Sequence, residues 1–348
     1  MKIVGQTNLG IAGILSLGLI SCGGGGTVGG QAVKLQGAGA SFPAPIYSKW
    51  FKAYGAAHPN VQIDYQSVGS GSGVKSFIDK TVDFGASDAA MTQEEIGRVD
   101  PALGVQLLPM TAGSIVITYN LPDVKELKLS RKAYAGIFLG TVKKWNDPLI
   151  AKDNPGVKLP DSPINVVVRA DSSGTSYVFT QHLSAISPEF AKGPGVSKMP
   201  NWPVGTRSKG NEGVTASVKT TPGSIGYIEY GYAKSQDMPM AILENKSGEF
   251  IVPTTASGQA ALASAQLPGN LVAWVPDPEP KDAYPIVTYT WLLVNQKYDK
   301  TKLPVLKDLL TFGLTDGQKD AEALGYIPMP APVVEKVKAA LNTLSATS

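Results

Sequence analysis

Three short stretches rich in glycine and hydroxyl residues carry most of the chemical information in this chain: GAGAS (37–41), GSGSG (69–73) and RADSSGTS (169–176). Each follows an apolar run and precedes residues with helical periodicity. A helix N-terminus presents unpaired backbone N–H groups and about half a positive charge. Glycine in the preceding loop lets the backbone approach a ligand, and Ser or Thr adds hydroxyl donors, so the unit binds an anion without a counter-cation. One such loop alone is more simply an ordinary tight turn; three in equivalent places point to a shared oxyanion site. Arg169 heads the third stretch, and its planar fork suits two oxygens of a tetrahedral anion; the alternative is a surface charge at a strand end. Asp171, two residues on, is placed either to hold that guanidinium or to act as an N-cap or Asx-turn acid. Asp88 is out of place in an anion site unless the ligand carries a proton. An ionised carboxylate accepts a hydrogen bond from P–OH, whereas sulfate at neutral pH has no proton to give and meets the carboxylate lone pair to lone pair. A buried acceptor left without its donor costs on the order of 1–3 kcal/mol, and more when charged. The competing role for Asp88 is to cap the helix that starts near Thr92.

These residues need strands that end, and helices that begin, at the right places. Ala32–Leu35, Val61–Tyr65 and Ile164–Val168 read as strands. Helical spacing follows each loop: Ile46, Trp50, Phe51 and Tyr54; Val74, Phe77, Ile78 and Val82; Val178, Phe179, His182, Leu183 and Ile186. Pro43 and Pro45 fit a first helical turn, where amides lack intrahelical acceptors. Thr81 to Asp88 reads as a short strand ending at an acid, and Thr92 with Glu95 forms a capping box for the next helix. Strands alternating with helices predict an α/β protein with largely parallel sheets. Two long β-rich runs, SIVITYN (114–120) and PIVTYTWLLVN (285–295), read as strands crossing between two lobes. They divide the chain into a first lobe of 33–112 plus 286–348 and a second of 113–285. The tail Val333–Leu344 is amphipathic and reads as a docked surface helix.

Residues 1–22 read as a lipoprotein signal segment. Lys2 supplies the positive start, and the apolar stretch from Ile11 to Ile20 is too short for the roughly 20 residues of a membrane span. A small residue before Cys22, the only cysteine, makes it the expected lipidation site, the alternative being a buried thiol in an ordinary helix. Residues 23–31 form a flexible tether with a reach of roughly 15–18 Å. The expected location is therefore extracytoplasmic, the periplasm or cell envelope, at a membrane. A formal net charge of +3 over 348 residues, without basic runs, argues against a nucleic-acid partner, which clustered Lys and Arg would mark. The histidines number two, His58 and His182. His182 falls on an apolar stripe and reads as packed, and His58 sits in a polar turn. No HExxH, GxSxG or GxxxxGK[ST] occurs, and neither glycine loop completes a dinucleotide fingerprint. No metal site and no cofactor are expected, and a lipid-anchored phosphatase lacks the metal or activated nucleophile it would need.

At these residues the sequence resembles the phosphate-binding protein of bacterial phosphate ABC transporters. The matching stretches are GAGASFPAPIYSKW (37–50), YQSVGSGSGVK (65–75), TVDFGASDA (81–89), IFLGTVKKWND (137–147), RADSSGTSYVFT (169–180), KGNEGV (209–214) and PGSIGYIEYGYA (222–233). The resemblance implies a two-lobed periplasmic-binding-protein-like fold of type II, hinged by two crossing strands. It implies phosphate contacts from Ser41, the amide of Phe42, Ser70, Asp88, Arg169, Ser173, Gly174 and Thr175, with Asp171 pairing the arginine. Many relatives have Thr at the Ser41 position, which keeps the hydroxyl, and Gly at the Ser172 position, a departure that bears on loop flexibility. The expected role is a high-affinity receptor that delivers inorganic phosphate to the permease subunits of an importer driven by a cytoplasmic ATPase, held to a membrane by its lipid. The alternatives from the residues alone are a receptor for sulfate, molybdate or arsenate, the phosphatase, or a structural envelope protein. That last role leaves the loops and Asp88 unexplained.

Overall fold

The computed structural model describes residues 32–347. The signal segment, Cys22 and the Gly-rich tether lie outside the described residues. Eight strands make the main sheet: β1 (Val33–Gly39), β2 (Val61–Ser67), β3 (Phe84–Ser87), β4 (Gln106–Tyr119), β5 (Asn165–Arg169), β6 (Thr206–Ser208), β7 (Ser224–Glu229) and β8 (Val287–Val294). Their order across the sheet is β2-β1-β3-β8-β4-β7-β5-β6. The helices that matter for the site are α1 (Ala44–Ala57), α2 (Ser70–Ile78), α3 (Gln93–Gly97), α4 (Gly174–Ile186), α5 (Gly210–Thr220) and α6 (Tyr230–Ser235); the tail forms α7 (Ala331–Thr343).

The sheet is mixed, not largely parallel. β1 runs parallel to β2 and β3, and β5 runs parallel to β6 and β7. In the middle, β8 is antiparallel to β3 and β4, and β4 is antiparallel to β7. The two parallel groups therefore run in opposite senses. They are also offset along β4, the longest strand at 14 residues. Its first part pairs with β8 up to Ser114, and its last part, from Ile115, pairs with β7. Ser87, at the end of β3, is level with Trp291 and so with Pro109; Glu229, at the end of β7, is level with Ile115. The carboxyl ends of the two groups thus meet head-on near the middle of β4. Ligands of open α/β sheets sit beyond the carboxyl ends of parallel strands, and here two such ends share one place. The fold is α/β and two-lobed, with β4 and β8 shared between the lobes.

β4 and β8 are buried almost end to end, which explains why both read as continuous apolar runs. A register shift between Thr290 and Trp291 accommodates Pro109 opposite, since a bulge tolerates a residue that cannot donate to the ladder. The amphipathic spacings hold except at Val82, since α2 ends at Ile78 and the chain bends before β3. α1 buries Ile46, Tyr47, Trp50, Phe51 and Tyr54, and α7 buries Val333, Val334, Val337 and Leu341. The capping box of α3 is present, with Thr92 Oγ1 accepting from the Glu95 N–H at 3.1 Å and Glu95 Oε2 accepting from the Thr92 N–H at 2.8 Å. Two loops are shorter than their composition predicts. GAGAS is strand as far as Gly39, and GSGSG is mostly the first turn of α2, which begins at Ser70. Small residues read as loop in isolation, but here the sheet and helix ladders extend through them. β4 likewise begins at Gln106, earlier than its most apolar run.

Candidate functional site

Four strand–loop–helix units converge at mid-β4, one more than the glycine stretches announce. They are β1 to α1 through Ser41, β2 to α2 through Ser70, β5 to α4 through 170–173, and β6 to α5 through Lys209. Ser41, Phe42, Ser70, Asp88, Arg169, Ser173, Gly174 and Thr175 are all buried there. The units interlock. Ser70 Oγ accepts from the Asp88 N–H at 3.3 Å and from the Gly174 N–H at 3.0 Å. A Cβ on Gly174 would lie 2.4 Å from Ser70 Oγ and 2.6 Å from Asp88 Oδ2, so the close approach admits only glycine. Gly69, before α2, adopts φ +93° and lies against the Asp171 carboxylate, a conformation L side chains avoid. Phe42 stands at the entrance to α1, its carbonyl accepting from Tyr326 Oη at 2.7 Å.

Arg169 and Asp171 form one corner. Arg169 Nε donates to Asp171 Oδ1 at 2.8 Å and Nη2 donates to Oδ2 at 2.5 Å. The Gly210 N–H donates to the same Oδ1 at 3.0 Å. Burial pushes the Asp171 carboxyl up, but the Arg169 hydrogen bond and charge outweigh it, and the group lies below the usual carboxylate range. The guanidinium is buried, not a surface charge, and its Nη1 has no hydrogen-bond partner among the described residues. Buried donors without acceptors are rare.

Asp88 forms the other corner. It does not cap α3, whose Thr92 serves itself. Asp88 Oδ1 accepts from Thr290 Oγ1 at 2.8 Å, and Oδ2 lies 3.5 Å from Thr175 Oγ1, the limit of a hydrogen bond. Burial pushes its pKa up to about 7, against the partial opposition of the Thr290 hydroxyl and the Arg169 charge. The carboxyl can therefore take or give a proton near neutral pH.

Two residues of this cluster escaped the sequence reading. Thr290 lies on β8, and only pairing across the sheet brings it to Asp88. Asn211, fully buried at the start of α5, donates from its backbone N–H and its Nδ2 to Ser41 Oγ, both at 3.0 Å, and from Nδ2 to Thr175 Oγ1 at 3.2 Å. Its signal was the stretch KGNEGV, a Gly-Asn pair opening a helix with φ +70° at Gly210. Ser172 contributes its carbonyl, which accepts from the Gly71 N–H at 2.9 Å. Nearby, Lys198 Nζ pairs with Glu95 Oε1 at 2.6 Å.

The histidines stand apart. His182 is buried, hydrogen-bonded to Tyr134 Oη at 2.9 Å and to the Pro276 carbonyl at 2.7 Å. Burial pushes its pKa down to about 4, so it is a packed neutral ring. His58 stacks on Tyr54. Among the described residues no group of three or more His, Cys, Asp or Glu side chains is placed to hold a metal ion.

The model of a PBP superfamily domain matches residues 25–316. The chain is 41% identical over 320 residues to the phosphate-binding protein PstS of Pasteurella multocida, covering 90% of this chain and 91% of that one. The chain belongs to the PstS family of phosphate-binding proteins. The PstS family also includes a protein of Methanocaldococcus jannaschii that is 39% identical to this chain over 339 residues, covering 90% and 87% of the two chains. The PstS-like shape extends to a solved structure, the phosphate-binding protein of Stenotrophomonas maltophilia. It superposes with a TM-score of 0.72 at 22% identity, covering 90% of this chain and 96% of that one. At that identity the likeness shows the shared fold.

Proposed function

We propose that this protein is a high-affinity extracytoplasmic receptor for inorganic phosphate that delivers its ligand to an ABC importer. The observation that carries this reading is the pairing of unmatched groups in one buried site: a guanidinium N–H group with no protein acceptor, and a carboxyl poised near neutral pH. Arg169 Nη1 donates to the ligand while Asp171 holds the other edge of the fork. The hydroxyls of Ser41, Ser70, Ser173 and Thr175, with the amides of Phe42, Gly174 and Thr175 at helix N-termini, replace the water of the anion. In the arrangement seen, the Gly174 N–H is engaged by Ser70, so binding exchanges that contact for one to the ligand. Asp88 shares a single proton with phosphate, and an ionised Asp88 repels sulfate.

The lobes are 33–112 plus 286–348 and 113–285, and the hinge lies where β4 changes partners and in β8 beside it. Phosphate touches both lobes only when they are together, so binding shifts an existing open–closed equilibrium toward closure. The closed form docks on membrane permease subunits powered by a cytoplasmic ATPase. Cys22 carries the lipid that holds the receptor at its membrane, with residues 23–31 as tether. The function is binding, with no bond made or broken; the relatives are named phosphate-binding proteins.

Calorimetric titration of the delipidated protein at pH 8 tests the reading. A single phosphate site that excess sulfate does not displace is expected, with arsenate, which is protonated like phosphate, competing. No heat at millimolar phosphate overturns it, and tighter binding of sulfate or molybdate replaces phosphate by that anion.

A further inference from the structure

A hydroxyl group has one proton to donate and two lone pairs that accept. An anion needs the proton, and a hydroxyl that turns its lone pairs inward repels it. A site built on hydroxyls therefore has an orientation problem that neither hydroxyl count nor loop composition solves. In this structure the lone pairs are occupied from behind. Ser70 Oγ accepts the Asp88 N–H at 3.3 Å, the contact that remains once the Gly174 N–H turns to the ligand. Ser173 Oγ accepts the Ser176 N–H at 3.0 Å as the N-cap of α4. For Ser41 and Thr175 one residue does the work, Asn211. Its backbone N–H and Nδ2 both reach Ser41 Oγ, filling both lone pairs, and Nδ2 also reaches Thr175 Oγ1. Among the described residues Ser41 Oγ has no acceptor for its own proton, and Thr175 has only Asp88 Oδ2 at 3.5 Å.

The orientation of the Asn211 amide is itself determined. Oδ1 accepts from the Glu229 backbone N–H at 3.0 Å. A backbone N–H can only donate, so the oxygen must face it and the NH2 must face the hydroxyls. The Asn211 carbonyl accepts from Thr215 Oγ1 at 2.7 Å, which holds the first turn of α5. Asn211 sits in the second of the two strand groups and Ser41 in the first, so the contact also spans the junction at mid-β4.

Resting on the phosphate reading above, we infer that Asn211 is a positioning residue that commits the Ser41 and Thr175 hydroxyls to donating toward the bound oxyanion. It acts through those hydroxyls and so tunes affinity without being one of the ligand's own contacts.

The test is a double-mutant cycle read by phosphate calorimetry at pH 8 on the purified chain. Asn211→Asp keeps the shape and the Oδ1 contact but replaces a donor by an acceptor, so both hydroxyls turn to donate to it. Phosphate affinity is expected to fall about 100-fold or more, since each misdirected donor to a charged ligand is worth roughly 10-fold or more. The new negative charge alone also weakens binding, but that repulsion does not depend on Ser41. The discriminating readout is therefore Ser41→Ala in the two backgrounds: a loss of about 10-fold or more beside Asn211, and little or none beside the introduced carboxylate. Equal losses in both backgrounds overturn the inference. If Asn211→Asp fails to fold, as judged by its melting transition, Asn211→Ala carries the same cycle, with a coupling of about 3–10-fold expected and additivity overturning the idea. A wild-type chain that ignores phosphate instead defeats the receptor reading, and this inference with it.

Discussion

Asp171, half-buried, and Asp88, fully buried, share one small site, yet their carboxyls lie on opposite sides of the ordinary value. Asp171 faces a charge. Arg169 grips both of its oxygens and the Gly210 N–H adds a third donor, so the acid is held ionised in spite of burial. Asp88 faces neutral hydroxyls. Thr290 and Thr175 solvate it only partly, the Arg169 charge acts without a hydrogen bond, and desolvation carries its pKa up to about 7. What separates the two is whether the compensating partner is a charge or a dipole. A charge-matched acid is fixed and serves to aim the arginine. An acid served by dipoles stays able to exchange a proton, which reading a protonated oxyanion requires.

The severest way to break the contrast is to remove the charge. Arg169→Ala takes a donor from the ligand and strands Asp171, so phosphate affinity is expected to fall more than about 100-fold. Stability at pH 7 should fall by about 3–5 kcal/mol, as for other broken buried pairs. Calorimetry and urea unfolding check the two losses. Lost affinity with unchanged stability would show Asp171 to be well served without its partner.

Asp88→Asn works in the other direction. The folded-state pKa of Asp88 is raised above the unfolded value, so the unfolded chain gives up this proton first. Stability is then lost as pH rises from about 4 through about 7. Raised from 3.8 to about 7, the pKa makes the ionised form in the folded site cost on the order of 4 kcal/mol. Ligand-free Asp88→Asn should therefore melt higher than wild type at pH 8 and about equally at pH 4, while gaining tolerance for sulfate. An unchanged anion preference would count against the proton-reading role.

The contrast sharpens with pH in the wild type. Once Asp88 is protonated it can donate to sulfate instead of repelling it, so sulfate should compete better at pH 5.5 than at pH 8. Thr290→Val withdraws the nearest hydroxyl from the ionised form, worth about 1 kcal/mol, and should move that crossover to higher pH by somewhat less than one unit. The smallest effect is expected at the rim. The Glu95–Lys198 pair leaves side-chain exposures of 22% and 16%, so Lys198→Met should weaken phosphate binding only a few-fold, chiefly through faster release measured by stopped flow.

What was legible in the residues follows from distance along the chain. The Thr92–Glu95 capping box spans three residues and the Arg169–Asp171 pair two, so backbone geometry alone brings each together. Periodicity likewise identified the buried faces of α1 and α7, and the apolar runs that became β4 and β8. It did not distinguish strand from loop in GAGAS or loop from helix in GSGSG, because glycine and serine have weak preferences of their own and take the ladder their neighbours offer.

From its sequence alone, then, this chain determined which loops hold donors, which acid is out of place, and the family to which its motifs belong. The tertiary structure decided what those groups face. Asn211 meets Ser41 across 170 residues and Thr290 meets Asp88 across 202. Thr290 reaches Asp88 through the register of β8 against β3, and Asn211 reaches Ser41 through that of β8 and β7 against β4 and the offset that turns two sets of strand ends toward each other. Register is a collective outcome of packing a whole sheet, and no local spacing encodes it.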